Sequence, residues 1–258
     1  MVGENIKQCE FEYTKCFCEY YKDENIIRYR DDELKDMYYH NYTYIRDNLG
    51  NDEVEKCIEN EISFAINAGK KFCNILLDFT INETLLKDLK YKGEVSRNGY
   101  YSFDITKLSN MTSVKDCNIE RVCNMEMVED ILYCDLQLDE ATLGRDFCTR
   151  RCHRRGKVYI LDKGVNSYIC YHNGERIGIC DLFIHDGTAK IEDFTVTPQC
   201  QCKGYGTTIL KHLIQIATNE GCNTIYLVTD EDDTAKEMYK KLGFNKVGER
   251  TDIFFRLN

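Results

Sequence analysis

The sequence predicts an α/β chain built on a mixed (α+β) sheet. Two observations lead there. Past residue 165 the apolar residues alternate across three short segments joined by tight turns, the mark of an antiparallel meander. The period then changes to a helical stripe, a buried β-branched run, a second short helix and a further strand. From residue 113 the order reads β, α, α, meander, α, β, α, β.

Each element has its own reason. A first strand is expected within 114–122, and helical segments near 125–133 and 141–154. The meander strands are 166–171, 176–184 and 190–196, with Asn173-Gly174 and Asp186-Gly187 as turn dipeptides and Pro198 ending the third. Ile209, Leu210, Leu213, Ile214, Ile216 and Ala217 fall on one face of a helix over 207–220, and Gly221 follows where a C-terminal glycine belongs. The run TIYLVT at 224–229 reads as a buried strand. A helix over Ala235–Leu242 closes at Gly243, and a strand pair, FNKVGE and TDIFFRL, finishes the chain.

The first half carries a partial echo of that ending. AINAGKKFCNILLD at 65–78 parallels ATNEGCNTIYLVTD at 217–230, both passing from a helix end through glycine into an apolar strand ending in Asp. With one gap, LLKDLKYKGEVSRNGYYSFDI then follows MYKKLGFNKVGERTDIFFRL, so residues 50–106 read as a copy of the α-β-α-β ending. A chance match between Lys/Asn/Ile-rich segments is the alternative.

Composition bounds the function. In 258 residues, 43% hydrophobic and 12% aromatic content suffices for a real core. Thirty-four basic against 44 acidic side chains give a net charge of −10, which argues against nucleic acid, whose phosphates need clustered Lys and Arg. No apolar run approaches the roughly 18 residues of a membrane span. The amino terminus has no basic segment followed by an apolar one, so the expectation is a soluble cytoplasmic protein whose 15 cysteines are mostly reduced core residues. Zinc spacing is poor, Cys148-x3-Cys152-His153 being the nearest cluster, and no metal is expected. The one basic cluster, Arg150 to Lys157, reads as a solvated helix end in preference to an anion site.

The stretch with chemistry runs from Val196 to Leu210. A strand ends, a short loop with two close glycines follows, and an amphipathic helix begins. First-turn amides without intrahelical partners favour an anion, and glycines let it approach the backbone. The anion site is therefore placed on Gln201, Cys202, Lys203, Gly204, Tyr205, Gly206 and Thr207. No GxxxxGK[ST] occurs, and the dinucleotide fingerprint fails because its third glycine position is Ile209.

Gln201-x-x-Gly204-x-Gly206 resembles the Q/R-x-x-G-x-G/A signature of the GNAT superfamily of N-acetyltransferases. Tyr239-Lys-Lys-Leu-Gly243-Phe244 is similar to its second signature, Tyr-x-x-x-Gly-Phe. The resemblance covers residues 113–258. It implies a GNAT-like catalytic domain there, preceded over 1–112 by a partial, degenerate GNAT-like domain without either signature. Such an arrangement is similar to some two-domain bacterial acetyltransferases. It implies acetyl-CoA as cosubstrate, its pyrophosphate on the glycine loop and its pantetheine arm along the backbone of Phe194, Thr195 and Val196. Tyr239 takes the place of the general acid, with ring packing in a helix as the alternative. Glu192 takes the place of the carboxylate that removes the amine proton, with Asp193 or a water relay as alternatives. Strand alternation puts Glu192, Phe194 and Val196 on one face and Asp193 and Thr195 on the other.

Two departures stand out: Asp232 replaces the usual Asn seven residues before the Tyr, and Cys202 replaces a frequent glycine. The expected activity is direct acetyl transfer to a small-molecule or peptide amine. The competing reading is a non-catalytic acyl-CoA-binding module on the same scaffold. The sequence leaves the acceptor's identity open, and a homodimer is compatible with it.

Overall fold

The computed structural model describes residues 2–46, 49–79, 81, 86 and 89–257. The first half comprises α1 (Glu4–Lys15), β1 (Glu19–Lys22), β2 (Ile26–Arg30), β3 (Thr43–Ile45), α2 (Asn51–Asn67), β4 (Phe72–Leu77) and β5 (Gly93–Phe103). The second comprises β6 (Cys117–Arg121), α3 (Met125–Leu143), α4 (Arg145–Ile160), β7 (Val165–His172), β8 (Glu175–His185) and β9 (Thr188–Val196). It continues with α5 (Tyr205–Asn219), β10 (Thr224–Asp230), α6 (Ala235–Leu242) and β11 (Phe244–Arg256).

All strands join one mixed sheet in the order β1-β2-β3-β4-β11-β5-β10-β9-β8-β7-β6. Its centre is an exchange. The parallel pair β3/β4 is extended by β11, and the parallel pair β9/β10 is extended by β5, so each half is completed by the other's last strand. β5 and β11 pair antiparallel with each other. The two echoing segments thus occupy related places about an approximate two-fold between β5 and β11.

One face of the sheet is covered by α1, α3 and α4, around Cys9, Tyr13, Val128, Ile131 and Val158. The opposite face carries α5 over Ile209, Leu213 and Ile225, and α2 over Ile58, Ile75 and Phe255. All 15 cysteines are free thiols. Cys148 and Cys152 are buried where α4 packs, and among the described residues no cluster of His, Cys, Asp or Glu is placed to hold a metal. Among them, too, no helix is long and apolar enough to cross a membrane.

Four expectations change. The carboxy-terminal strand pair is one strand, β11, with a bulge between Lys246 and Gly248. Gly248 is taken up in that bulge and makes no turn, and from Thr251 to Phe255 β11 is hydrogen-bonded on both sides, which holds it extended. The first helix of the second half runs on to Leu143, and Gly144, at φ 80°, is its break from α4. The first strand starts at Cys117; Val114 instead donates its N–H to Thr208 Oγ1 (2.8 Å) beneath α5. The basic cluster on α4 is no solvated helix end. Arg150 pairs with Asp36 (2.7 Å), Arg154 with Asp31 (3.2 Å) and Lys157 with Glu33 (2.5 Å), binding α4 to the segment after β2. The helix read between 85 and 91 lies largely outside the described residues.

Candidate active site

The loop between β9 and α5 is shaped by backbone chemistry. Cys202 and Gly204 adopt φ values of 58° and 86°, turning successive amides toward one side. No backbone N–H from residues 202–207 donates to an acceptor among the described residues. Nor does α5 have a side-chain cap or an acidic residue in its first turn. These amides and the helix dipole present a concave donor surface. Gln201 Nε2 closes the loop by donating to the Val196 carbonyl (3.1 Å), and Lys203 Nζ donates to the Gln199 carbonyl (2.7 Å). Tyr205 turns its ring away, its hydroxyl 2.9 Å from His172 Nδ1, so its backbone alone serves the loop.

The same site gathers the other sequence-predicted residues. An ideal Cβ on Gly206 would sit 3.1 Å from the Phe194 ring and 3.6 Å from Val196 Cγ2. The Phe194 ring centroid is 6.4 Å from that of Tyr239. Tyr239 is buried, and its hydroxyl makes no hydrogen bond to the described residues. Burial first, then the neighbouring Cys180, Glu192 and Asp233, push its phenol above the ordinary value, so it keeps its proton at neutral pH. Beyond Ile191 and Leu227 the parallel ladder of β9 and β10 stops. The backbone of Phe194, Thr195 and Val196 on that side therefore has no strand partner among the described residues.

Glu192 is placed differently from the expectation. Asp193 has φ 50°, and the register steps from Ile179↔Thr195 to Asp181↔Glu192, a β-bulge that adds a residue to β9. The bulge breaks the alternation, so Glu192 no longer shares a face with Phe194 and Val196. Both acids turn to the α1/α4 side. Glu192 Oε2 lies 2.9 Å from Lys190 Nζ, and Asp193 pairs with the buried Arg155, which also bonds Asp181 (2.8 Å). Burial opposes the Lys190 charge, but the Glu10 and Glu192 carboxylates hold its ammonium above the ordinary lysine range.

On that side lies a cavity of about 320 Å³ between the halves. Glu192, Asp193 and Asp230 line it from the second half; Glu10, Tyr13, Tyr39 and His40 line it from the first. The segment that carries Tyr39 is rigidly held. His40 Nδ1 is 2.9 Å from Asp31 and the ring stacks on Phe17, while Asn41 Nδ2 donates to the Leu34 and Met37 carbonyls. Tyr39 stays 51% exposed. No signal in the sequence pointed to it, because only the exchanged sheet brings residue 39 to residue 192. A second cleft of about 380 Å³ adjoins Thr207 and is lined by Lys107, Lys240 and Lys241, likewise unread in the sequence.

Comparison with known proteins adds the lineage. Residues 127–244 match the model of the acetyltransferase (GNAT) family. The chain is 24% identical over 237 residues to the uncharacterized N-acetyltransferase CgeE of Bacillus subtilis, covering 84% of this chain and 85% of that protein. A functionally unknown conserved protein from Staphylococcus epidermidis shares the fold with TM-score 0.78 at 21% identity, over 93% of this chain and 95% of that one. A GCN5-related N-acetyltransferase from Kribbella flavida does so with TM-score 0.67 at 12% identity, over 100% of this chain and 97% of that one. The glycine loop, the parted strands and Tyr239 lie together within residues 127–244, the segment that matches the acetyltransferase (GNAT) family model.

Proposed function

We propose that the protein is an acetyl-CoA-dependent N-acetyltransferase that moves an acetyl group directly to an amine. Residues 113–258 form its catalytic domain, and 1–112 a partial GNAT-like domain that shapes the acceptor pocket. The observation that carries this reading is the run of undonated amides at 202–207 at the start of an uncapped helix. When bound, acetyl-CoA supplies an acyl carbon activated as a thioester.

The chain's own residues then have distinct tasks. The amides of Cys202, Lys203, Gly204, Tyr205, Gly206 and Thr207 hold anionic oxygens, with Gln201 bracing the loop. Lys107 and Lys241 line the neighbouring cleft and suit a further phosphate. The backbone of Phe194, Thr195 and Val196 offers donors and acceptors to an extended amide chain. Tyr239 holds a phenolic proton for a departing thiolate. Glu192 accepts a proton from an ammonium in the cavity, directly or through water, while Lys190 fixes its orientation. Asp193 is committed to Arg155 and is the weaker candidate for that step.

The acceptor is a small-molecule or peptide amine, and the setting is cytoplasmic. Tyr239→Phe tests the reading. The ring packing is kept and no hydrogen bond is lost, so thermal stability and acetyl-CoA affinity should stay unchanged. Turnover of an amine panel, followed by mass spectrometry of the acetylated product, should fall by about 10²- to 10⁴-fold. An unchanged rate would remove Tyr239 from the mechanism. Wild-type binding of acetyl-CoA with no amine acetylated would favour a non-catalytic binding module.

A further inference from the structure

The structure assigns a second ligand site, distinct from the acyl-transfer site, for a small aromatic carboxylate. It is a cleft of about 390 Å³ at the outer edge of the first half, between the carboxy-terminal end of α2 and the strands β1 and β2. In the sheet, β1 is the outermost strand on the side away from β9.

Its walls are aromatic and open. Tyr21 and Phe64 are 58% and 48% exposed, an unusual amount of ring surface to leave in water around one cleft. The Arg28 guanidinium lies between these rings, 5.7 Å from Tyr21 and 4.8 Å from Phe64. It is already neutralised, since it grips the buried Glu61 carboxylate, which also accepts from Thr43 Oγ1 (2.8 Å). Arg28 therefore contributes a flat stacking surface and no spare charge.

Lys70 is the group left over. Its half-buried ammonium lines the cleft 6.0 Å from the Phe64 centroid and has no carboxylate within bonding distance among the described residues. Burial lowers its proton affinity, and the nearby Arg30 lowers it further, outweighing the pull of Cys73, Glu61 and Asp32. An anion entering the cleft would offset both penalties, and the rings would cover its planar body. A neutral or cationic ring gains only the second part.

The test uses benzoate, benzamide and benzamidine, three planar probes that differ in charge, titrated calorimetrically into the full chain. Benzoate is expected to bind about tenfold or more tightly than benzamide, and benzamidine not at all. Lys70→Met should bring benzoate down to the benzamide level. Phe64→Ala, at an exposed position, should weaken both, with thermal unfolding verifying that each variant is folded. Acetyl-CoA added at saturation should leave benzoate affinity unchanged, which separates this cleft from the glycine loop. Equal binding of benzoate and benzamide, full retention in Lys70→Met, competition by acetyl-CoA, or no benzoate binding at millimolar concentration would each overturn the assignment.

Discussion

Gly206→Glu puts the role of the glycine loop to a quantitative test. Gly206 stands in the first turn of α5, with the Phe194 ring 3.1 Å from where a Cβ would sit. The new side chain is thus forced out over the amides of residues 202–207. A carboxylate about 4 Å from a phosphate repels it by about 4 kcal/mol at an effective dielectric of about 20, roughly a 10³-fold loss of affinity. Gly206→Ala isolates the steric part. Its methyl is crowded by the edge of Phe194 and meets Val196 Cγ2 at ordinary contact distance, a cost of about 1 kcal/mol, and helix propensity returns a similar amount. Calorimetric titration of the reduced protein with acetyl-CoA reads both variants, without interference from the 15 cysteines that would burden a thiol-release assay. The Ala variant should bind within about tenfold of wild type and the Glu variant should not bind. Raising the salt concentration should shrink the Glu penalty. Equal affinity in Gly206→Glu and wild type would refute the loop as the anion site, and a folded wild type that binds nothing would leave the loop a structural relic.

Two further outcomes follow from the way the halves are joined. Residues 113–258 alone leave β11 without either neighbour and one side of β10 bare, so this fragment should fail to unfold cooperatively. Adding residues 1–112 should restore a melting transition and acetyl-CoA binding; a fragment that folds and binds by itself would contradict the exchange. The second outcome concerns pH. Burial depresses the His40 pKa below 6.5, though Asp31 pulls it partly back. A depressed histidine favours the fold above the unfolded value, so stability should decline as pH falls from about 6.5 toward the folded value. Thermal midpoints between pH 8 and pH 5 should slope less in His40→Gln, and identical slopes would exclude His40 as their source.

The second half was readable because its signals are local. The turn dipeptides at 173–174 and 186–187, the stripe from Ile209 to Ala217 and the glycines at 221 and 243 each report on neighbours a few residues away. What escaped is non-local or idiosyncratic. β1 is exposed at every position and β3 is three residues long, so neither carries a readable alternation. The bulge at Asp193 rests on one aspartate in left-handed conformation within an otherwise ordinary strand pattern, and it alone decides where Glu192 points. The basic cluster on α4 looked like surface charge because its carboxylate partners, Asp31, Glu33 and Asp36, lie more than a hundred residues earlier.

The approximate two-fold also explains why the first half carries no second copy of the cofactor loop. α2 and α5 precede the equivalent strands β4 and β10, yet their first turns are opposites. The amide of Gly50, at the start of α2, is taken by Glu53 Oε2 (3.0 Å), and Asp52 adds a second negative charge to that turn. α5 has neither a capping side chain nor an acid. The helix that caps itself with carboxylates repels a diphosphate, while the uncapped one needs an anion to satisfy its amides. One molecule of acetyl-CoA should therefore bind per chain. The same calorimetric titration measures this: a stoichiometry of two would mean that the first half binds acyl-CoA at a place other than the start of α2, and the division of labour between the halves would have to be redrawn.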